Sequence, residues 1–159
     1  MAREIERKFL VHRDRWRPDA AGGLRLRQGY LSTDPARVVR IRTAGDGAYL
    51  TVKGVTTGIE RAEFEYPIPT ADAEQMLHDL CLQPLIDKRR YRVPFGGRVW
   101  EVDEFDGANA GLVIAEIELA SADERLELPP WIGEEVSADP RYFNANLIAR
   151  PYRTWPRHG

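Results

Sequence analysis

The chain has 159 residues, 43% of them hydrophobic and 30% charged, with a formal charge of −2 at neutral pH. That length matches one domain, residues 1–159, able to bury a core without staples, and the near balance of acids and bases excludes a general nucleic-acid coat. Cys81 is the one cysteine, which excludes an intramolecular disulfide; the charged start and the lack of a long apolar run lead us to expect a cytoplasmic protein with no membrane partner.

Residues 4–11, Glu-Ile-Glu-Arg-Lys-Phe-Leu-Val, alternate as an extended strand does, placing Glu4, Glu6 and Lys8 on one face. Residues 12–23 are polar and broken by Pro18, Gly22 and Gly23, the mark of a loop with at most a short helical turn. Further strands are expected over Leu24–Ser32, Arg37–Thr43, Ala48–Val55, Arg61–Ile68, Leu85–Val93, Arg98–Phe105 and Leu112–Leu119, with turn signals such as Gly45-Asp46-Gly47, Pro94 and Gly96-Gly97 between them. Thr70–Leu82 carries the other period: Ala73, Met76, Leu77, Leu80 and Cys81 fall at helical spacing, with Thr70 as the expected cap. Asp139-Pro140 opens a second, shorter helix striped by Tyr142, Phe143, Leu147 and Ile148 and stopped by Pro151; residues 152–159 are expected to fray. The fold class is α+β, mainly β: an eight-stranded antiparallel closed β-barrel with a few flanking helices.

Seven of these strands carry charged residues at single-residue spacing or alone on one face: Glu4, Glu6 and Lys8; Arg40 and Arg42; Lys53; Glu63 and Glu65; Lys88 and Arg90; Glu101 and Asp103; Glu116 and Glu118. The residues between them, Ile5, Ile41, Phe64, Val102 and Ile117, are apolar. For any one strand, a polar face turned to water is the simpler reading. A whole set of such strands favours a shared charged interior, although the two helices cover only part of the apolar outer face that a barrel would leave. Buried unpaired ions cost several kcal/mol each, so such an interior must be wet or filled by a compensating ligand. The arginines suit bidentate contacts to phosphoryl oxygens and the lysines act as compact charges. Carboxylates are hard oxygen donors for Mg²⁺ or Mn²⁺, which bridge to phosphate, so acids and bases in one cavity point to phosphoryl transfer or hydrolysis.

These residues also carry a resemblance. Glu4-Ile5-Glu6-Arg7-Lys8 resembles the Glu-x-Glu-x-Lys signature of the CYTH, or triphosphate tunnel metalloenzyme, superfamily, particularly its short bacterial members. Gln28-Gly29-Tyr30-Leu31, Arg40-Ile41-Arg42, Leu50-Thr51-Val52-Lys53-Gly54, Glu63-Phe64-Glu65, Lys88-Arg89-Arg90-Tyr91, Glu101-Val102-Asp103 and Glu116-Ile117-Glu118 follow in family order. The resemblance implies a triphosphate tunnel, dependence on Mg²⁺ or Mn²⁺, and hydrolysis of a small triphosphate, foremost tripolyphosphate to pyrophosphate and orthophosphate. Glu4, Glu6, Glu116 and Glu118 then become metal-site candidates. Glu63, Glu65, Glu101 and Asp103 are further acids for a second metal or for orienting water. Lys8, Arg40, Arg42, Lys53, Lys88 and Arg90 would bind phosphate, and Lys88 would also position or deprotonate the attacking water if its pKa were depressed.

The resemblance also makes Tyr30 the specificity candidate, because short members with tripolyphosphatase activity carry a similar Gln-Gly-Tyr-Leu segment and a tyrosine reaching into the tunnel would shorten it against a nucleoside; on propensity alone an ordinary β-strand tyrosine fits equally well. Arg25 and Arg27 have the other parity and are left outside the site. Residues 139–144 resemble the family's end-of-tunnel helix, with Phe143 where some relatives carry lysine. His12, His78 and His158 show no metal-ligand spacing, Cys81 is assigned to the core, and Trp16, Trp100, Trp131 and Trp155 to packing. Competing functions are a nucleoside or thiamine triphosphatase, an adenylate cyclase, or a non-catalytic polyphosphate-binding module. A homodimer is compatible with the chain.

Overall fold

Glycines at tight turns let neighbouring strands fold straight back on one another. Gly45 (φ 58°) joins the strands over Val38–Ala44 and Gly47–Lys53, and Gly96 and Gly97 (φ 59° and 77°) join those over Ile86–Phe95 and Arg98–Phe105, in backbone that residues with a Cβ rarely adopt. The computed structural model describes residues 2–156. Its strands are β1 (Arg3–Val11), β2 (Ala21–Ser32), β3 (Val38–Ala44), β4 (Gly47–Lys53), β5 (Glu60–Pro67), β6 (Ile86–Phe95), β7 (Arg98–Phe105), β8 (Val113–Glu118) and β9 (Ile132–Glu135). The helices are α1 (Thr70–Asp79) and α2 (Asn146–Ala149), with short 3-10 turns elsewhere. None of the described helices is long and apolar enough to cross a membrane.

The strands run in the order β5-β4-β3-β2-β6-β7-β8-β1, and pairing of β1 with β5 closes the barrel. All eight expected strands form it, and every pairing is antiparallel. The stagger of a closed barrel gives β1 two partners along one edge: Arg3–Ile5 face β5, whereas Phe9 and Val11 pair with β9. Strand β9 was not anticipated. It lies outside the barrel, and Gly133 gives it room: a Cβ there would sit 3.1 Å from the Leu10 carbonyl oxygen.

The pleat sorts side chains between the two faces. Outside, Phe9, Trp100, Val102, Ala115 and Ile117 form a core cluster with Trp16 and Trp131, which come from connecting segments. Trp100 meets Phe9 and Trp131 edge-on at centroid distances of 5.6 and 5.8 Å. Helix α1 covers another patch, packing Ala73, Leu77 and the following Cys81 on Ile41 and Ala48. Thus indoles and connecting segments supply much of the cover that two helices alone lack, and three of the four tryptophans are buried as expected.

Inside, the charged rows do not run the full length. Tyr30, Val38, Ile86, Phe105 and Ile114 share the inward parity of Gln28, Arg40, Lys88, Asp103 and Glu116, and they gather with Leu112, Leu147 and Ile148 into one buried cluster. An apolar plug therefore fills one end of the barrel, with α2 seated in it.

Several local expectations need correction. Thr70 is the first helical residue rather than the cap; Pro69 precedes it and no side chain caps the helix. Helix α1 ends at Asp79, leaving Leu80 exposed. The single helix expected after Asp139 is two pieces. Asp139 does accept the Arg141 amide at 3.1 Å, but the 3-10 turn Pro140–Tyr142 gives way to extended backbone at Phe143 before α2 begins. Tyr152 and Trp155 are held in place rather than frayed, while Arg153, Thr154 and Pro156 are exposed: Tyr152 donates its amide to Asn109 Oδ1 at 2.7 Å, and Trp155 meets Tyr142 and Tyr152 at 5.1 Å. The rest of that tail, with His158, lies outside the described residues.

Leu147 is fully buried in the plug. Leu147→Ala is expected to lower the unfolding free energy by about 2–5 kcal/mol. Urea denaturation measures this, and an unchanged midpoint would place Leu147 outside the packed end.

Candidate active site

One cavity of about 500 Å³ occupies the barrel above this plug. The inward charges predicted from sequence line it, apart from Asp103, which lies fully buried beneath the wall. Tyr30 also lines it, at the plugged end. Arg25 and Arg27 are absent from the lining and pair on the outside with Asp87 and Glu74, at 2.7 and 2.9 Å.

Register determines which charges confront one another. β1 and β8 put Glu6 opposite Glu118, and β7 and β8 put Glu101 opposite Glu116. Like charges set directly across a ladder repel. Burial and the Glu116 charge push the Glu6 carboxyl up, burial and a hydrogen bond with Glu63 do the same for Glu4, and burial with the charges of Glu4 and Glu6 raises Glu118. Two lysines moderate this repulsion. Lys8 Nζ lies 2.9 Å from Glu6 and 2.8 Å from Glu116; Lys53 Nζ lies 3.1 Å from Glu4 and 3.2 Å from Glu63. For Glu116, burial is outweighed by Lys8, Arg90 and Lys88, which hold its carboxyl well below the usual range.

The opposite wall is basic. Asp103 receives Arg90 Nε and Nη2 at 2.7 and 2.8 Å and Lys88 Nζ at 2.7 Å, so one buried carboxylate serves two cations. Burial still pulls Lys88 down to about 7, with Arg90 and Arg42 adding to the pull against Asp103. Arg40 bonds Thr51 Oγ1 at 3.2 Å and Glu65 at 3.3 Å, while its buried Nε has no partner among the described residues. Arg42 bonds only Gln28 Oε1, at 2.8 Å, and has no carboxylate partner among the described residues. Burial, then the neighbouring Arg40 and Arg90, bring it down to about 9, so it is still a cation at neutral pH.

The site thus sets a carboxylate-rich wall on β1 and β8 against a cationic one on β3 and β6, with the β2 side chains Gln28 and Tyr30 between them. Oxygen donors in this number suit a hard divalent cation. Among the described residues no three of them converge as a prebuilt ligand set, because the lysines stand between them. Sequence reasoning gave no role to Gln28, Thr51 or Asn144. The first two share the inward parity of Tyr30 and Lys53, which was the available signal; Asn144 lies on a turn, where no period reports orientation.

A CYTH domain model matches residues 2–152. The chain belongs to the CYTH family. It is 50% identical over 155 residues to an inorganic triphosphatase of Acetivibrio thermocellus, covering 98% of this chain and 99% of that protein. An inorganic triphosphatase of Nitrosomonas europaea is 37% identical over 150 residues, covering 91% and 95%. The crystal structure of an inorganic triphosphatase superposes with a TM-score of 0.66 at 35% identity, covering 93% of this chain and 95% of that one.

Asp103 is the electrostatic hinge of the basic wall in this CYTH barrel. Asp103→Asn would leave Lys88 and Arg90 buried against an amide, and the expected loss of stability is about 3–5 kcal/mol. Chemical denaturation reads this directly; wild-type stability in the variant would show that the two cations do not depend on that charge.

Proposed function

We propose that this CYTH protein is a divalent-cation-dependent inorganic triphosphatase, cleaving tripolyphosphate into pyrophosphate and orthophosphate inside the barrel. The observation that carries this reading is the unbalanced basic wall: among the described residues Arg42 lacks a carboxylate, and the buried Arg40 Nε lacks an acceptor. A polyanion supplies both. The two curated triphosphatase relatives, similar over nearly their whole length, support the same substrate class.

Arg40, Arg42 and Arg90 grip phosphoryl oxygens, and Lys8 and Lys53 turn from their carboxylates to phosphate as the substrate enters. Glu4, Glu6, Glu116 and Glu118 would hold Mg²⁺ or Mn²⁺, with Glu101 available to a second ion. When bound, the cation neutralises charge on the phosphate chain and polarises it towards attack. Glu63 and Glu65 steady Lys53 and Arg40 and orient water at that rim. Asp103, its oxygens committed to Arg90 and Lys88, orients these two rather than ligating metal.

Lys88 accepts a proton from the attacking water as the oxygen bonds to the terminal phosphorus. The bridging phosphorus–oxygen bond breaks, pyrophosphate leaves with its electron pair, and the proton passes to product or solvent. The apolar plug and Tyr30 limit the depth available, which favours tripolyphosphate over a substrate carrying a base. A cytoplasmic location belongs to the same proposal.

Phosphate and pyrophosphate release from tripolyphosphate, ATP and thiamine triphosphate, each with Mg²⁺, Mn²⁺ or chelator, tests this reading. Metal-dependent preference for tripolyphosphate is expected. Preference for either organic triphosphate would move the assignment to a nucleoside or thiamine triphosphatase, cyclic AMP with pyrophosphate from ATP to a cyclase, and tight binding without turnover to a polyphosphate-binding module. Glu6→Gln should lose most turnover while staying folded, and a folded variant with near-normal rates would remove Glu6 from the metal site. Arg42→Ala should raise KM about tenfold or more through loss of a charge-assisted contact; unchanged kinetics would place Arg42 outside the substrate path.

A further inference from the structure

Two amides join the basic wall into one network. Gln28, fully buried on β2, accepts Arg42 Nε at 2.8 Å and donates Nε2 to Tyr30 Oη at 2.9 Å and to Asn144 Oδ1 at 3.2 Å. Asn144 Oδ1 also accepts from Lys88 Nζ, at 2.8 Å. Both amide orientations follow from their partners, since guanidinium and ammonium groups offer only donors and must face oxygen. The contacts run Arg42–Gln28–Asn144–Lys88, from a phosphate-binding cation to the proton acceptor.

We propose that Asn144, seated by Gln28, is a positioning residue that aims Lys88 Nζ at the attacking water. The inference rests on the reading of Lys88 as the base. Nζ has three tetrahedral positions beyond its carbon. Asp103, at 2.7 Å, and Asn144, at 2.8 Å, claim two of them. The remaining side is shared by the Phe105 ring, whose centroid lies 5.2 Å from Nζ, and the cavity that Lys88 lines. Without Asn144 the nitrogen is tied on one side only, and the long lysine side chain gains freedom to swing away from the reacting centre.

Asn144 is not a barrel residue. It sits between the 3-10 turn Pro140–Tyr142 and α2, and it reaches Lys88 only because Leu147 and Ile148 anchor that segment in the plug and Asn146 Nδ2 ties it to the Pro140 carbonyl at 2.7 Å. The barrel therefore supplies the lysine, and the C-terminal segment supplies the group that aims it.

Steady-state kinetics on tripolyphosphate with Mg²⁺, for Asn144→Ala, Asn144→Ser and Lys88→Ala beside wild type, test this, with thermal melting to verify folding. Asn144→Ala is expected to lower kcat about tenfold with KM within about twofold, the signature of a group that matters during reaction rather than binding. Asn144→Ser, which keeps a shorter hydroxyl acceptor, should recover part of that loss. If Asn144→Ala does not fold, the serine variant carries the test, with kcat reduced and KM unchanged. Wild-type kcat in whichever variant folds, or a rise in KM in place of the fall in kcat, overturns the positioning role. Lys88→Ala separates the two failures: an active Lys88→Ala enzyme refutes the base assignment itself, whereas inactive Lys88→Ala beside unaffected Asn144 variants refutes only the inference about Asn144.

Discussion

Charges on the inner face of a closed barrel have to be neutralised from within or by what enters, since closure removes the option of turning them outward. Most of the interior here meets that demand internally. Lys8 sits between Glu6 and Glu116, Lys53 between Glu4 and Glu63, and Asp103 between Lys88 and Arg90. The remainder is unbalanced in both signs: Arg42 on one wall, and on the other Glu118, held up by burial and the charges of its acidic neighbours. A site left with surplus of each sign on opposite walls is complementary to a polyanion that arrives with cations.

The same closure explains the shared carboxylate. Both cations on β6 point inward from alternate positions, and β7 offers them one buried acid in register, Arg90 standing opposite Asp103. Dividing one negative charge between two cations leaves the lysine poorly compensated, so burial prevails and draws it down to about 7. Arg90, gripped by both oxygens of Asp103, is shifted in the opposite direction. Two neighbouring cations thus acquire different chemistry from their hydrogen-bond geometry: one remains a fixed charge, the other can exchange a proton near neutrality.

A barrel with two open ends would let water and long substrates through. Here the inward rows switch from charged to apolar at one end, Lys88 giving way to Ile86, Glu116 to Ile114 and Arg40 to Val38, and α2 fills the space they leave. The plug has a second effect, because it fixes the turn that carries Asn144 against Lys88. Packing at the end of the barrel and alignment in the site are therefore one structural problem with one solution.

The period-two alternation was enough to give the eight strands, their inward faces and the charged residues on them, because a pleat fixes side-chain direction locally. The switch to apolar residues along each inward row was also in the sequence, but its meaning was not, since a row ending in Ile86 or Val38 reads equally well as the end of a strand. What only the tertiary structure decided was the pairing: Glu6 against Glu118, Asp103 shared by two cations, Arg42 left without an acid among the described residues. Cross-strand register and barrel closure set these, and both depend on residues far apart in the chain. Asn144 lay beyond any periodic signal, because a side chain on a turn has no fixed direction until the segment carrying it has packed. Tyr152 and Trp155 were misread for the same reason, as their order comes from Asn109 and Tyr142 rather than from any pattern of their own.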